Sequence, residues 1–183
     1  MPAPATPSSS RAAILDSALA LAGEGATTVT LDSVAQASGL TKPGVMYHFR
    51  NKQALMAASV DRVIDRYERE LLALVPDGVS ASVEQRLLGY AEWALTAEID
   101  RSDLVMFSDP RLVDVLTRTW SERLRPWLEI PEGTPAETRV RLHAVRMAAD
   151  GSWFADASGI LPLSADERRD LLAYVRDLLE ESS

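Results

Sequence analysis

"TLDSVAQASGLTKPGVMYHFRNKQAL", residues 30–55, decides the fold. Thr30 suits a helix N-cap, and Asp32 suits the first-turn dipole. Leu31, Val34 and Ala35 recur at the spacing of a buried helical stripe. Gly39 offers the left-handed conformation that ends a helix; Leu40 then turns inward and Thr41 supplies a second cap. Lys42, Pro43 and Gly44 fill the next first turn. Proline is tolerated there because first-turn N–H groups have no intrahelical partner. Val45 and Phe49 face the core. Asn51 caps a longer helix from Lys52 to about Leu74, with Leu55, Ala58, Val63, Tyr67 and Leu71 near one side. Two short helices joined by a tight glycine turn and braced by a third helix make a helix-turn-helix.

The flanks extend this reading. Residues 1–8 are Pro, Ala, Thr and Ser after the initial Met and read as a disordered tail. A first helix is expected from Ser9 or Ser10, with Ile14, Leu15, Ala18, Leu19 and Ala22 on its apolar face and "GEG" at 23–25 as its stop. Further helices are expected over about 80–98, 101–109, 111–128 and 136–157, separated by breaks such as "VPDGVS" (75–80) and "EIPEGTP" (129–135). Ser164 caps the last, with Glu167 completing a capping box. Leu171, Leu172, Val175, Leu178 and Leu179 supply its apolar face. No strand pattern stands out. The fold class is all-α, with eight or nine helices. An N-terminal helix-turn-helix DNA-binding domain spans 9–52, and a C-terminal helical bundle spans 53–183.

Charge qualifies the nucleic-acid reading. The chain carries a net −8, which by itself argues against DNA. Residues 1–52, however, hold four basic and three acidic residues, a net +1. The remainder holds 15 basic and 24 acidic residues, a net −9. Lys42, Arg50 and Lys52 lie within eleven positions. Such asymmetry fits a nucleic-acid contact at one end of an acidic molecule, and fits a solvated helix end equally. Cysteine is absent and only His48 and His143 are present, so no metal site or cofactor is expected. No apolar run reaches membrane-spanning length, and a cytoplasmic location is the default. An enzyme would need a nucleophile, an acid–base pair or a metal cluster; none is evident.

In the recognition segment, Gly44 removes a side chain where a helix would approach base edges. Lys42 lies at a helix N-terminus, which favours phosphate. Tyr47 and His48 can hydrogen-bond phosphate oxygens, and Lys52 opens the next helix with a cation. Lys42, Pro43 and Gly44 are better placed to meet bases. His48 taken alone reads as a cap or packing residue, and beside Tyr47 and Lys52 as a contact; Arg50 reads as a solvated charge rather than a contact.

Here the sequence resembles the TetR family of transcriptional regulators, over roughly residues 10–60. The Gly-x-x-x-x-Gly turn, the "YHF" triplet and the "NK" start of the following helix carry the likeness. Met46 departs from it, since an aromatic residue is common there. The resemblance implies a homodimer reading a palindromic double-stranded DNA operator. It assigns phosphate contacts to Thr30, Thr41, Tyr47, His48 and Lys52, and base contacts to Lys42, Pro43 and Gly44. It also implies that 53–183 binds a small-molecule effector and dimerises through 147–159 and the last helix.

All four tryptophans (Trp93, Trp120, Trp127 and Trp153) lie beyond residue 90. Large aromatics there either fill a core or line a ligand cavity. His143, Met147, Asp150 and Phe154 share one side of a helix; Asp150 there either orients a ligand or faces solvent or another subunit. The candidate effector residues are Trp93, Phe107, Trp120, His143, Met147, Asp150 and Phe154. The expected function is a ligand-responsive repressor released by a small apolar or aromatic effector. The alternative is a DNA-binding regulator whose C-terminal domain binds a protein partner.

Overall fold

The computed structural model describes residues 7–24 and 29–180. Eight α-helices occur among them: α1 (Pro7–Gly23), α2 (Leu31–Ala37), α3 (Lys42–His48), α4 (Lys52–Leu74), α5 (Val83–Thr96), α6 (Val113–Leu128), α7 (Ala136–Ser158) and α8 (Ala165–Glu180). Short 3₁₀ segments cover Gly78–Ser80 and Arg101–Phe107. No strand occurs among the described residues, so the fold is all-α. The expected tail lies outside the described residues as far as residue 6. The helix itself starts at Pro7, before both serines expected to cap it; proline is at home in a first helical turn. Of the "GEG" stop, Gly25 lies outside the described residues.

The chain divides into two compact units. The first takes the described residues up to Val63 together with Arg101–Trp120. The second takes Ile64–Asp100 and the described residues from Ser121 onward. The first unit therefore reaches past the expected boundary at 52 and includes a later segment.

In the first unit, α1 buries Ile14, Leu15, Ala18 and Ala22, the stripe its spacing requires. These join Val34, Ala35, Val45, Phe49, Leu55, Met56 and Val60 in the core. The segment 101–107 packs on α1. It was expected as an α-helix and is 3₁₀ instead, with Leu104 at φ −84°, ψ 18°. The physical reason is a short run whose Asp103, Val105 and Met106 are all buried, a set that an i, i+3/i+4 face cannot supply. Gly23 faces it closely: a Cβ there would lie 3.4 Å from the Ser102 amide nitrogen.

In the second unit, α7 and α8 pack against α5. Ser82 and Gln85 close a capping box on α5, and Ser164 and Glu167 close the one expected for α8, with Ser164 N–H donating to Glu167 at 2.8 Å. Gly159 ends α7 in the left-handed conformation, φ 73°, so "DASG" is helix up to Ser158. Leu142, Val145, Ala149 and Ser152 form the buried face of α7, and Leu172, Val175 and Leu179 that of α8. Arg168 grips the buried carboxylate of Asp156 with two bonds, of 2.5 and 2.7 Å, tying α8 to α7. Arg86 is nearly buried and donates to the carbonyls of Pro126 and Glu129. It thus satisfies acceptors that the C-terminus of α6 leaves without intrahelical donors.

Candidate nucleic-acid interface

The interface is built by capping chemistry. Thr30 Oγ1 accepts from Ser33 N–H at 3.0 Å while Ser33 Oγ accepts from Thr30 N–H at 2.9 Å, fixing the start of α2. The helix ends in a Schellman arrangement. Leu40 N–H donates to Ala35 O at 2.9 Å and Gly39 N–H to Gln36 O at 3.3 Å, with Gly39 at φ 69°. No atom lies within 4 Å of where a Gly39 Cβ would be, so its glycine is required by backbone conformation alone. Thr41 then caps α3, accepting from Gly44 N–H at 3.2 Å. Asn51 caps α4, accepting from Ala54 N–H at 2.8 Å. The turn and the two caps fix how α3 emerges from the unit.

What α3 presents follows from its two buried anchors, Val45 and Phe49. Thr41, Lys42, Pro43, Met46 and Tyr47 are exposed, Tyr47 to 81 %. Thr30 is exposed at the start of α2. Gly44 is half-buried, and its nearest foreign atom from a built Cβ would be Thr41 Oγ1 at 3.3 Å. The glycine thus also spares the capping hydroxyl. His48 is half-buried; the Tyr47 ring meets it edge-on at 5.1 Å and the Phe49 ring lies 6.4 Å away. Packing therefore accounts for part of its position.

The cations are not bare. Lys42 Nζ lies 2.9 Å from Asp32 Oδ2, both well exposed. Lys52 Nζ lies 2.6 Å from Asp109 Oδ2, and the Asp109 side chain is only 13 % exposed. The Lys52 hydrogen bond, aided by the Arg111 N–H, holds the Asp109 carboxyl below the usual carboxylate range. Arg11 sits over the Phe49 ring, 5.3 Å from its centroid. Neither Arg11 nor Asp109 was identified in the sequence. Arg11 lies on α1 and could have been found from its helical position; Asp109 is remote in sequence and carries no local signal.

The seven residues nominated for an effector divide between the two units. Phe107 and Trp120 belong to the first unit, exposed and half-buried respectively. In the second unit, Trp93 is buried and donates its Nε1–H to Glu70 at 2.6 Å. Its ring packs on Tyr67 and Tyr90, at 4.2 and 5.7 Å between centroids. Trp153 Nε1–H donates to Tyr67 Oη at 2.7 Å. Asp150 accepts from the Tyr90 hydroxyl at 2.9 Å. Burial raises the Asp150 carboxyl above its usual range, against that bond and the Arg146 charge. Burial and the Asp150 charge raise the Tyr90 hydroxyl further still. His143, Met147 and Phe154 lie on the exposed face of α7. A surface groove of about 430 Å³ in this unit is lined by Leu95, Leu163, Leu172, Thr96, Arg168 and Arg169, none of the seven. Sequence reasoning missed those residues because α5 and α8 are brought together only by packing.

Known proteins agree with this architecture. The family profile "Bacterial regulatory proteins, tetR family" matches residues 14–59, and "Tetracyclin repressor-like, C-terminal domain" matches 104–180. No curated protein matches the chain. Among solved structures, one assigned as a transcriptional regulator from Pseudomonas aeruginosa PAO1 is similar at TM-score 0.66 and 16 % identity, covering 98 % of this chain and 94 % of its own. The fatty acid degradation regulator FadR from Bacillus halodurans is similar at TM-score 0.65 and 14 % identity, covering 98 % and 96 %. One assigned as a TetR-family regulator from Rhodococcus sp. is similar at TM-score 0.59 and 18 % identity, covering 93 % and 98 %. At these identities the likeness concerns the fold. Among the described residues no helix is long and apolar enough to cross a membrane. With both of its halves matched, the chain belongs to the TetR family of transcriptional regulators and carries that family's helix-turn-helix DNA-binding domain.

Proposed function

We propose that the protein is a ligand-responsive transcriptional repressor that binds a palindromic operator as a homodimer. The observation that carries this reading is the outward presentation of Thr41, Lys42, Pro43 and Tyr47 on a helix fixed by two caps and a left-handed glycine. A short helix with an exposed first turn suits the major groove, which admits one helix. Thr30, Thr41, Tyr47, His48 and Lys52 contact phosphate in this reading, while Lys42, Pro43 and Gly44 meet base edges.

Dimerisation is supported by the outer face of α7. Met147 and Phe154 are 49 % and 46 % exposed, with Val140 and Gly151 also exposed on that helix and Tyr174 on α8. Contiguous exposed apolar residues mark interaction sites, and a second copy of the same face covers them in this reading. Two recognition helices then reach successive grooves, roughly 34–36 Å apart. An effector shifts this spacing by binding one state better, with a coupling of about 1–3 kcal/mol.

Selection from random duplexes tests the proposal and is expected to return an inverted repeat. Recovery of unrelated sequences, or single half-sites bound by a monomer, would overturn it. A second reading, a C-terminal domain that docks a protein partner, is favoured by the loop after α7. There Ile160 and Leu161 project into solvent and Leu161 holds φ 48°, a conformation unfavourable for its side chain. A thermal-shift screen of small apolar and aromatic compounds separates the two, since only the ligand reading expects stabilisation.

A further inference from the structure

We propose that Asp109 acts as an electrostatic brake on operator binding, by holding the Lys52 ammonium that would otherwise neutralise a backbone phosphate. The inference rests on the proposed Lys52–phosphate contact and deepens it.

The geometry singles out this pair. Lys52 Nζ and Asp109 Oδ2 are 2.6 Å apart, at 32 % and 13 % side-chain exposure. The other carboxylate oxygen, Oδ1, accepts from Arg111 N–H at 2.9 Å. Both oxygens are therefore committed, and the carboxylate cannot swing away without losing a bond. Its segment is anchored as well. Residues 101–107 bury Asp103, Val105 and Met106, and pack on α1. The Lys42–Asp32 pair differs in each respect: it is 2.9 Å long and at 50 % and 69 % exposure. Exposed pairs of that kind contribute about 0–1 kcal/mol and yield readily to a competing anion.

A lysine held this way presents a neutral pair to DNA. Affinity for the phosphate backbone comes from released counterions, with a slope of about −0.9 in log K against log[salt] for each neutralised phosphate. A braked Lys52 supplies little of that. Freed, it adds about 0.9 to the slope and, at 0.15 M salt, on the order of fivefold in affinity per protomer. Because Asp109 rides on the 101–112 segment, the placement of that segment sets how much of the Lys52 charge reaches DNA. Any event that displaces it tightens binding.

A double-mutant cycle tests this on the full-length protein with a mixed-sequence duplex of about 30 base pairs, whose binding reports phosphate contacts without needing the operator. Asp109→Asn is expected to tighten binding about fivefold per protomer and steepen the slope by about 0.9. Asp109→Ser, which also keeps an acceptor for Arg111 N–H, is expected to do the same and guards against a folding defect in either variant. Lys52→Gln is expected to weaken binding modestly. In the Lys52→Gln background, Asp109→Asn is expected to recover only the modest loss and to leave the slope unchanged, because no ammonium remains to neutralise a phosphate. If both Asp109 variants leave affinity and slope unchanged while Lys52→Gln weakens binding, the brake is wrong and the phosphate contact survives. Equal tightening by Asp109→Asn with and without Lys52 would also overturn it, since Asp109 would then act through its field alone. Unchanged binding in every variant would overturn the Lys52 contact itself.

Discussion

Replacing Gly44 by alanine puts one methyl group where two effects on stability oppose each other and a third acts only on DNA. Gly44 lies in the first turn of α3, where its N–H donates to Thr41 Oγ1 at 3.2 Å. A Cβ there would stand 3.3 Å from that same oxygen and 3.9 Å from Leu40 Cβ. Alanine raises helix propensity by at most about 1 kcal/mol relative to glycine. Crowding the cap costs up to about what losing it costs, roughly 0.5–2 kcal/mol. The two nearly cancel, so folding stability is expected to move by no more than about 1 kcal/mol in either direction. On DNA nothing offsets the methyl. If the α3 backbone approaches the groove closely here, an intruding methyl acts like overpacking, at about 1–3 kcal/mol. That is roughly five- to 150-fold in affinity per half-site. Urea unfolding followed by circular dichroism gives the first quantity, and fluorescence anisotropy on the selected operator gives the second. Comparing Thr41→Ala with Thr41→Ala/Gly44→Ala separates them, because with the hydroxyl gone in both the crowding vanishes while the intrusion remains. Unchanged stability together with unchanged operator affinity would refute the close approach at Gly44.

Three further outcomes are expected. Gly89→Ala places a Cβ 2.2 Å from Val75 Cγ2, and this stiff β-branched neighbour makes the substitution cost about 1–3 kcal/mol; Val75→Ala is expected to absorb most of that cost, and an equal cost in both backgrounds in urea melts would contradict the contact. Asp150→Asn is expected to raise the melting temperature at neutral pH, because burial lifts the Asp150 carboxyl and a raised carboxyl contributes stability below its unfolded pKa that is lost as pH rises through the folded value. The gain should shrink as pH falls below the ordinary carboxylate range; a gain independent of pH would refute the burial argument. Phe154→Glu with Met147→Glu is expected to give monomers in sedimentation and to halve the salt slope of DNA binding, since one head then contributes half the phosphate contacts; a persistent dimer would remove α7 from the interface.

What the sequence made legible was local. Thr30, Thr41, Asn51 and the Ser164–Glu167 box act within a few residues of themselves, and each caps where its side chain is expected to. Gly39 is likewise decided by one dihedral angle. The start of α1 at Pro7 was missed because proline and serine are each compatible with a tail or a first turn. The 3₁₀ course of 101–107 was missed because its burial is imposed by α1, far away in the chain. Lys52 was identified as a cation and not as half of a pair, since nothing near it predicts Asp109. The α7 residues show the same limit in another form. The 3.6-residue period put His143, Met147, Asp150 and Phe154 on one side of a helix; three of them are exposed and Asp150 is half-buried against Tyr90, and a period gives no sign of which face turns outward. Only the packing of Leu142, Val145 and Ala149 on the opposite face decides that.

If the protein acts as the proposed dimer, the electrostatics of the first unit bear on why a chain of net charge −8 would need two heads to hold DNA. Lys42 and Lys52 are each paired with a carboxylate. Arg62 is paired with Asp16 at 2.5 Å, and Arg11 lies over Phe49. With Lys52 held by Asp109, such a head gains less from counterion release, and non-specific affinity depends on that release. What remains is directional: the Thr41 and Tyr47 hydroxyls and close fit at Gly44. Such contacts are short-ranged and demand register, which phosphate and groove geometry enforce only when α3 is correctly placed. Linking two weak, register-dependent heads makes the second binding event intramolecular and multiplies discrimination without adding charge. In the proposed dimer, holding Lys52 would thus lower affinity for arbitrary DNA more than for a site whose two halves both fit, and would make the spacing of the heads, rather than their charge, the quantity a regulator has to control.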